Sequence, residues 1–177
     1  MSTYQIAINE YNPEDDDGKH KLIYAYFGLA VYIGQCLEET FSMMLFTDRI
    51  IKNKVKTNKE VNEIIDLIDS SKKTMGAFIN EVKQSYLLSD ELRDKLAEIL
   101  ERRNYLVHKY FKSEIQKFAS ELGQKEMLNY FSNFIDDSKN IDNELKPYYS
   151  EHLKYLGITE EMVNKMIDEI KSGKGEV

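Results

Sequence analysis

The chain has 177 residues, a formal net charge of −7 and 42% hydrophobic residues. This length fits one folded domain with a sizeable core, and the acidic balance argues against general duplex DNA binding, which requires a broad basic face. The single cysteine, Cys36, excludes an intrachain disulfide, and the sequence has no Cys/His cluster with the spacing of a zinc site. We therefore expect no metal and no cofactor.

Few helix breakers interrupt the chain, which has only two prolines and eight glycines. This composition predicts an all-α, single-domain bundle of about five helices. Residues 1–20 are predicted to be an N-terminal arm and an acidic loop, because Tyr4, Ile6 and Ile8 alternate as in an extended segment. The helical domain is predicted to span residues 21–172, and residues 173–177 are predicted to be a disordered tail.

The first helix is predicted from Lys21 to Lys52, where apolar residues recur at steps of three and four. Its most apolar part, residues 22–46, is interrupted by Gln35, Glu38 and Glu39, so it is typical of a core helix and not of a membrane span. The N-terminus also lacks the basic-then-apolar pattern of a secretory signal. We expect a cytoplasmic protein that does not contact a membrane.

Capping residues predict where the next helices begin. Thr57 and Glu60 have the spacing of a capping box at the start of a second helix. A break or kink is predicted between Ser70 and Gly76. Ser89 is the predicted N-cap of a third helix, which is expected to continue through Phe111.

The C-terminal part of the chain contains two further predicted helices. Gly123 separates the third helix from a fourth, and Pro147 is expected to end or kink that fourth helix. Thr159 is the predicted cap of the last helix, and Gly173 is expected to close it.

The third predicted helix contains the string Arg103-Asn104-x3-His108. A helical wheel places Arg103 in the middle of the apolar stripe, where a buried guanidinium is costly unless it is paired. Asn104 and His108 lie four residues apart on one flank. Two interpretations remain open: a functional site, or a structural arginine paired with Glu38 or Glu39 beside an ordinary surface or half-buried histidine.

This string resembles the signature of the HEPN superfamily, in which an arginine, a polar residue and a histidine lie on one helix of a small α-bundle. The longer string Arg103-x4-His108-x-Tyr110 resembles HepT-type toxins. In those toxins the tyrosine receives a nucleotide from a partner nucleotidyltransferase. Tyr110 is therefore a candidate modification site, and the alternative is an ordinary core or interface tyrosine.

The resemblance implies an endoribonuclease, a toxin or defence effector, that cleaves RNA without a metal and uses the ribose 2′-hydroxyl as the nucleophile. A histidine can transfer a proton near neutrality, so His108 would be the general acid or base. Arg103 would hold the scissile phosphate through planar, bidentate donors, and Asn104 would orient the histidine or the phosphate. The candidate RNA-binding residues are Arg102, Lys109 and Lys112.

The resemblance also implies a C2 homodimer with paired motifs. On a straight helix Arg103 and His108 point about 140° apart, so the two groups converge more easily if a second chain supplies one of them. Residues 92–117 carry a balance of +3, from seven Lys/Arg and four Asp/Glu, and two copies would form a positive groove for RNA. Residues 120–145 carry a balance of −4, from two Lys/Arg and six Asp/Glu.

Other partners and other functions remain open from the sequence. A cognate antitoxin or a nucleotidyltransferase would be the controlling partner of a toxin. The main alternative function is a non-catalytic HEPN-like dimer that binds RNA or a partner protein. A third interpretation is a plain helical interaction domain in which Arg103 only pairs with an acidic residue.

Overall fold

A computed structural model describes residues 1–70, 74–159, 161–162, 165, 168–169 and 172, and its regular secondary structure in this part of the chain is helical throughout. The all-α class is therefore confirmed, although the predicted number of about five helices is too low. The described elements are α1 (Thr3–Tyr11), α2 (Asp16–Lys52), α3 (Asn58–Asp69), α4 (Met75–Ser85), α5 (Asp90–His108), α6 (Tyr110–Glu114), a 3₁₀ helix (Ile115–Ala119) and α7 (Glu121–Tyr155).

The two longest helices, α2 and α7, pack along each other and form the centre of the bundle. Phe41 of α2 and Phe131 and Phe134 of α7 are fully buried there. The short helices surround this pair: α1, α5 and the 3₁₀ helix contact α7, and α3 and α4 contact α2. Burial of such large aromatic side chains is the main source of stability.

The N-terminal segment is a helix and not the predicted extended arm. Ser2 caps α1 by accepting a hydrogen bond from the Gln5 amide at 3.3 Å, and Ala7 and Tyr11 are fully buried. These two residues are four apart, which is helical spacing. The alternation of Tyr4, Ile6 and Ile8 suggested an extended segment. In the helix, however, the buried face includes a small residue, Ala7.

The acidic loop was predicted over residues 12–18. Residues 12–15 do connect α1 to α2, but residues 16–18 are the start of α2, which begins five residues earlier than expected. Asp15 is the N-cap, and its carboxylate accepts a hydrogen bond from the Gly18 amide at 2.8 Å. Asp16 and Asp17 lie in the first turn, where negative charge interacts favourably with the helix dipole. The acidic run therefore has a structural role at this helix terminus.

Most of the predicted helix starts are confirmed. Thr57 and Glu60 form a reciprocal capping box, and Ser89 accepts a hydrogen bond from the Leu92 amide at 3.2 Å. The break predicted after Ser70 is confirmed by the end of α3 and the start of α4. The hydroxyl of Thr159 accepts a hydrogen bond from the Met162 amide at 3.2 Å, as a cap would.

Three other predicted boundaries differ from the structure or lie beyond it. The third predicted helix ends at His108, because Lys109 leaves the helical conformation at φ −131° and ψ −25°. Pro147 does not end α7, which continues to Tyr155. Gly173 and the predicted tail, residues 173–177, lie outside the described residues.

Gly123 is not a separator between helices; it lies in the first turn of α7, directly against the backbone of Lys117. A Cβ atom placed at Gly123 would lie only 2.6 Å from the Lys117 Cα atom. We expect Gly123→Ala to lower the free energy of unfolding by about 1–3 kcal/mol, the usual cost of overpacking. Urea denaturation would measure it. Gly28→Ala is the matched control, since no atom lies within 4 Å of that position, and it should be neutral or stabilising.

Candidate functional site

The guanidinium of Arg103 lies between α5 and α2 and is half-buried. Its Nη2 atom donates to Glu38 Oε2 at 3.3 Å, and its Nη1 atom donates to Asn104 Oδ1 at 3.3 Å. Gly34 of α2 lies beside this side chain: a Cβ atom placed there would make ordinary van der Waals contact with the Arg103 Cγ atom at 3.6 Å. The ion pair with Glu38 is the contact that the structural interpretation of Arg103 predicted.

The apolar stripe of α5 is narrower than the helical wheel predicted. Leu92, Leu96, Ile99 and Leu106 are buried, whereas Val107 is 39% exposed. Arg103 therefore lies near the edge of the stripe and not at its buried centre. The Arg103 guanidinium contacts both Glu38 and solvent, so its charge is not fully desolvated.

Asn104 and His108 are exposed, and they lie one helical turn apart near the end of α5. His108 is the last residue of the helix because the chain turns away at Lys109. An imidazole in this position is accessible to a large substrate such as RNA. The structure thus presents two of the three predicted catalytic residues at the surface.

A single chain does not join Arg103 to His108. Both residues belong to α5, and five residues of helix separate them by about 140° around the axis and about 7.5 Å along it. The Arg103 guanidinium hydrogen-bonds to Glu38 and Asn104, and within the described residues it makes no hydrogen bond to His108. One copy of the motif therefore offers two separated groups.

Arg102, predicted to bind RNA, faces α7. Its Nη1 atom lies 2.6 Å from Asp137 Oδ2 and 3.6 Å from Glu98 Oε1. Its guanidinium also lies 5.8 Å from the ring centroid of Phe134. Arg102 therefore connects α5 to α7, and its charge is neutralised by these carboxylates.

Other basic residues of the positive segment pair in the same way. Lys95 lies 2.9 Å from Glu144, and Lys117 lies 3.1 Å from Glu126, both on α7. The +3 and −4 segments thus pack against each other, so part of the positive charge of residues 92–117 is paired with carboxylates of α7. Lys109 and Lys112 remain exposed and form no ion pair within the described residues.

Tyr110, the candidate modification site, is a buried tyrosine with 2% of its surface exposed. Its ring lies 4.8 Å from the ring of Tyr130 and 4.8 Å from the ring of Phe131. Burial, reinforced by the nearby Glu114 carboxylate, raises the pKa of its phenol above the usual range. The Tyr110 ring is therefore packed in the core, whereas nucleotide addition at its hydroxyl stays a prediction.

Four exposed apolar side chains on α2 and α5 were not predicted from the sequence. They are Tyr24, Leu29, Tyr32 and Val107, each at least 39% exposed. Tyr24 and Tyr32 are eight residues apart on one side of α2, and this spacing was the available signal, although core packing gives the same spacing.

Two contacts set the direction of the motif segment relative to α2. Tyr24 contacts Phe111, with ring centroids 5.9 Å apart, and Glu38 contacts Arg103. Residues 103–111 therefore run antiparallel to α2 between these two contacts.

Comparisons with protein-family models, with curated proteins and with solved structures find no match to this chain. Within the described residues, no group of three or more His, Cys, Asp or Glu side chains is arranged to hold a metal ion. None of the described helices is both long enough and apolar enough to cross a membrane.

Proposed function

We propose that the protein is a metal-independent endoribonuclease of the HEPN type, acting in the cytoplasm as a toxin or defence effector. The observation that carries the proposal is the surface position of the motif: Asn104 and His108 are exposed, and the half-buried Arg103 hydrogen-bonds to Asn104 at 3.3 Å. An imidazole and a guanidinium are the groups that phosphodiester cleavage through a 2′-hydroxyl requires, and each copy of the motif supplies one of each.

His108 would take the proton of the ribose 2′-hydroxyl while that oxygen attacks the adjacent phosphorus. The bond from phosphorus to the 5′-oxygen then breaks, and this leaving oxygen receives a proton from a second acid. The products are a 2′,3′-cyclic phosphate and a 5′-hydroxyl. Arg103 would stabilise the negative charge that builds on the phosphoryl oxygens, and Lys109 and Lys112 would contact the RNA backbone.

A homodimer would supply the second proton-transfer group. Each chain brings one motif histidine, and a two-fold axis beside α5 doubles every motif residue. The exposed apolar side chains of Tyr24, Tyr32 and Val107 lie on α2 and α5, and burying them against a second copy would bring the two motifs together. Apolar side chains grouped in this way are typical of protein interfaces.

The direct test of the proposal is a cleavage assay with purified protein and a single-stranded RNA in excess EDTA. We expect cleavage with 2′,3′-cyclic phosphate ends or their opened products. An RNA of the same sequence with 2′-O-methyl groups should remain intact, since it lacks the nucleophile. Strict dependence on added magnesium would contradict the proposal.

Mixed dimers test whether the two chains share one site. Wild-type chains would be co-expressed with an excess of His108→Ala chains under a different tag, and the mixed dimers purified by both tags. If cleavage needs both histidines, the mixed dimers should lose nearly all activity. If each chain carries a complete site, they should keep about half, and a monomer in light scattering would exclude the shared site outright.

A non-catalytic dimer that binds RNA or a partner protein is the second candidate function. The 3.3 Å ion pair between Arg103 and Glu38 favours it, because a carboxylate occupies part of the guanidinium that a phosphate would need. Protein that binds RNA, a cognate antitoxin or a nucleotidyltransferase without cutting RNA under any condition would support this alternative.

A further inference from the structure

An open groove between α2 and α7 contains the single cysteine of the chain. The groove has a volume of about 270 Å³, close to the lower end of the ~300–1,000 Å³ that small-molecule sites occupy. The side chains that line it are Ile33, Cys36, Leu37 and Thr40 of α2 and Ser138, Lys139, Asp142 and Asn143 of α7. Neither Arg103 nor His108 is among them, so an inference about this groove does not depend on the proposed function.

The hydroxyl of Ser138 is an unsatisfied polar group of this groove. Ser138 is 1% exposed, and its Oγ atom makes no hydrogen bond with any described residue. A buried hydroxyl normally has a partner, because burying it without one costs free energy. Since Ser138 lines the groove, a ligand bound there can provide that partner.

Two further side chains of the groove are not engaged by the described part of the chain. Lys139 forms no ion pair there and Asn143 forms no side-chain hydrogen bond, and both residues are exposed. Asp142, in contrast, accepts a hydrogen bond from the Thr40 hydroxyl through Oδ1 at 2.7 Å. The groove thus presents one cation, one anion and an amide. This pattern is complementary to a ligand that carries both carboxylate and ammonium groups.

Cys36 adds a nucleophile to the groove. Its thiol is free and exposed, so it is accessible to a reagent in solution. A thiolate attacks disulfides, and contacts between the protein and the attached group shift the equilibrium of this exchange. The unengaged side chains of α7 line the same groove as Cys36, so they can contact a group that is attached to its sulfur.

We propose that Cys36 is a modification site that forms a mixed disulfide with a small peptide-like thiol, for which glutathione is the test compound. The Cys36 thiolate attacks one sulfur of glutathione disulfide, and the bond between the two glutathione sulfurs breaks. A new bond joins the Cys36 Sγ atom to the attacked sulfur. The other glutathione leaves as a thiolate and takes up the proton that Cys36 lost. Cys36 is oxidised and the leaving glutathione is reduced.

The groove would hold the attached group by its polar ends. The Lys139 ammonium would pair with a carboxylate of the tripeptide, and the Asp142 carboxylate would accept a hydrogen bond from its ammonium. The Ser138 hydroxyl would donate to a peptide carbonyl. These contacts exist only in the folded chain, so folding should favour the mixed disulfide.

The exchange equilibrium between the full chain and glutathione tests this proposal. The protein would be equilibrated with fixed ratios of glutathione to glutathione disulfide and quenched with acid, and mass spectrometry would give the fraction with one glutathionyl group. Because Cys36 is the single cysteine, every adduct reports on this site. We expect the equilibrium constant of the folded chain to exceed that of the chain unfolded in urea about ten-fold. With bis(2-hydroxyethyl) disulfide, which has no charge and no peptide group, the two constants should agree.

Two variants of α7 should lower the constant of the folded chain for glutathione. Ser138→Ala should lower it about five-fold, since one hydrogen bond to the attached group is lost. Lys139→Gln should lower it about three-fold, since an exposed ion pair is lost. Ser138→Ala breaks no hydrogen bond with a described residue, so its thermal unfolding should match that of the wild type.

Matched controls come from positions outside the groove. Ser132→Ala removes from α7 another buried hydroxyl that has no hydrogen bond with a described residue, and Lys21→Gln removes an exposed lysine of α2. Neither variant should change the constant. Equal constants for the folded and unfolded chain, or wild-type constants in both groove variants, would overturn the proposal. Equal losses in the control variants, or the same gain on folding with the uncharged disulfide, would do so as well.

Discussion

The variant His108→Ala should lose about 10²–10⁴-fold in the rate of RNA cleavage, the usual contribution of a proton-transfer residue. Its fold should be unchanged, because the side chain is exposed at the end of α5 and contributes nothing to the core. Single-turnover cleavage of a labelled single-stranded RNA in EDTA would measure the rate, and circular dichroism and thermal unfolding would establish that the variant is folded.

His20 provides the matched control for His108. Its ring is stacked on Phe118 with a centroid distance of 4.5 Å, near the start of α2. His20→Asn should cleave RNA at the wild-type rate, although its thermal stability should fall slightly with the loss of the stacked ring. A His108→Ala protein that cuts as fast as the wild type would exclude His108 as the acid or base.

Arg103→Ala should lower cleavage about 10²–10³-fold, the loss expected when one donor that stabilises transition-state charge is removed. The free energy of unfolding should change by only ~1 kcal/mol or less, because the pair with Glu38 is partly exposed on both sides. The ratio of these two effects distinguishes a functional arginine from a structural one, and the same purified variant serves for both measurements.

Arg102→Ala is the neighbouring control, and its expected pattern is the reverse. This arginine connects α5 to α7 through Asp137, so its removal should lower stability while cleavage is largely retained. Glu38→Gln completes the comparison: if the pair restrains Arg103, cleavage should rise a few-fold, and Arg103→Ala should abolish that gain. If Arg103→Ala unfolds the protein and His108→Ala changes nothing, the arginine has only a structural role.

Helix starts were predictable from the sequence because they depend on local chemistry. Thr57 with Glu60 and Ser89 each satisfy free amides within four residues of themselves, so neither needs information from distant parts of the chain. The N-terminal helix was missed because its buried face consists of Ala7 and Tyr11, and the more hydrophobic Ile6 is 42% exposed. Packing against α7 and α2 decides which side of that helix is covered.

The sequence motif of the candidate site was predictable, but the spatial arrangement of its side chains was not. Residue spacing placed Asn104 and His108 on one flank, and both are indeed exposed. The break at Lys109 had no signal in the sequence, and it moves Tyr110 from the predicted helix into the core beside Tyr130. Helix packing decides which arginine meets a carboxylate of α7 and which meets one of α2. A count of charges along the chain contains no such information.

The position of α1 also has a consequence for how the protein is made. Tyr11 donates a hydrogen bond to Gln124, and Thr3 donates one to Asp136, across 113 and 133 residues of chain respectively. During synthesis α1 leaves the ribosome long before α7 exists to cover it, so Ala7 and Tyr11 stay exposed until nearly the whole bundle has been translated. Closure of the core is therefore a late, non-local event, and a ribosome stalled before α7 would hold a nascent chain with an uncovered apolar surface for chaperones to bind.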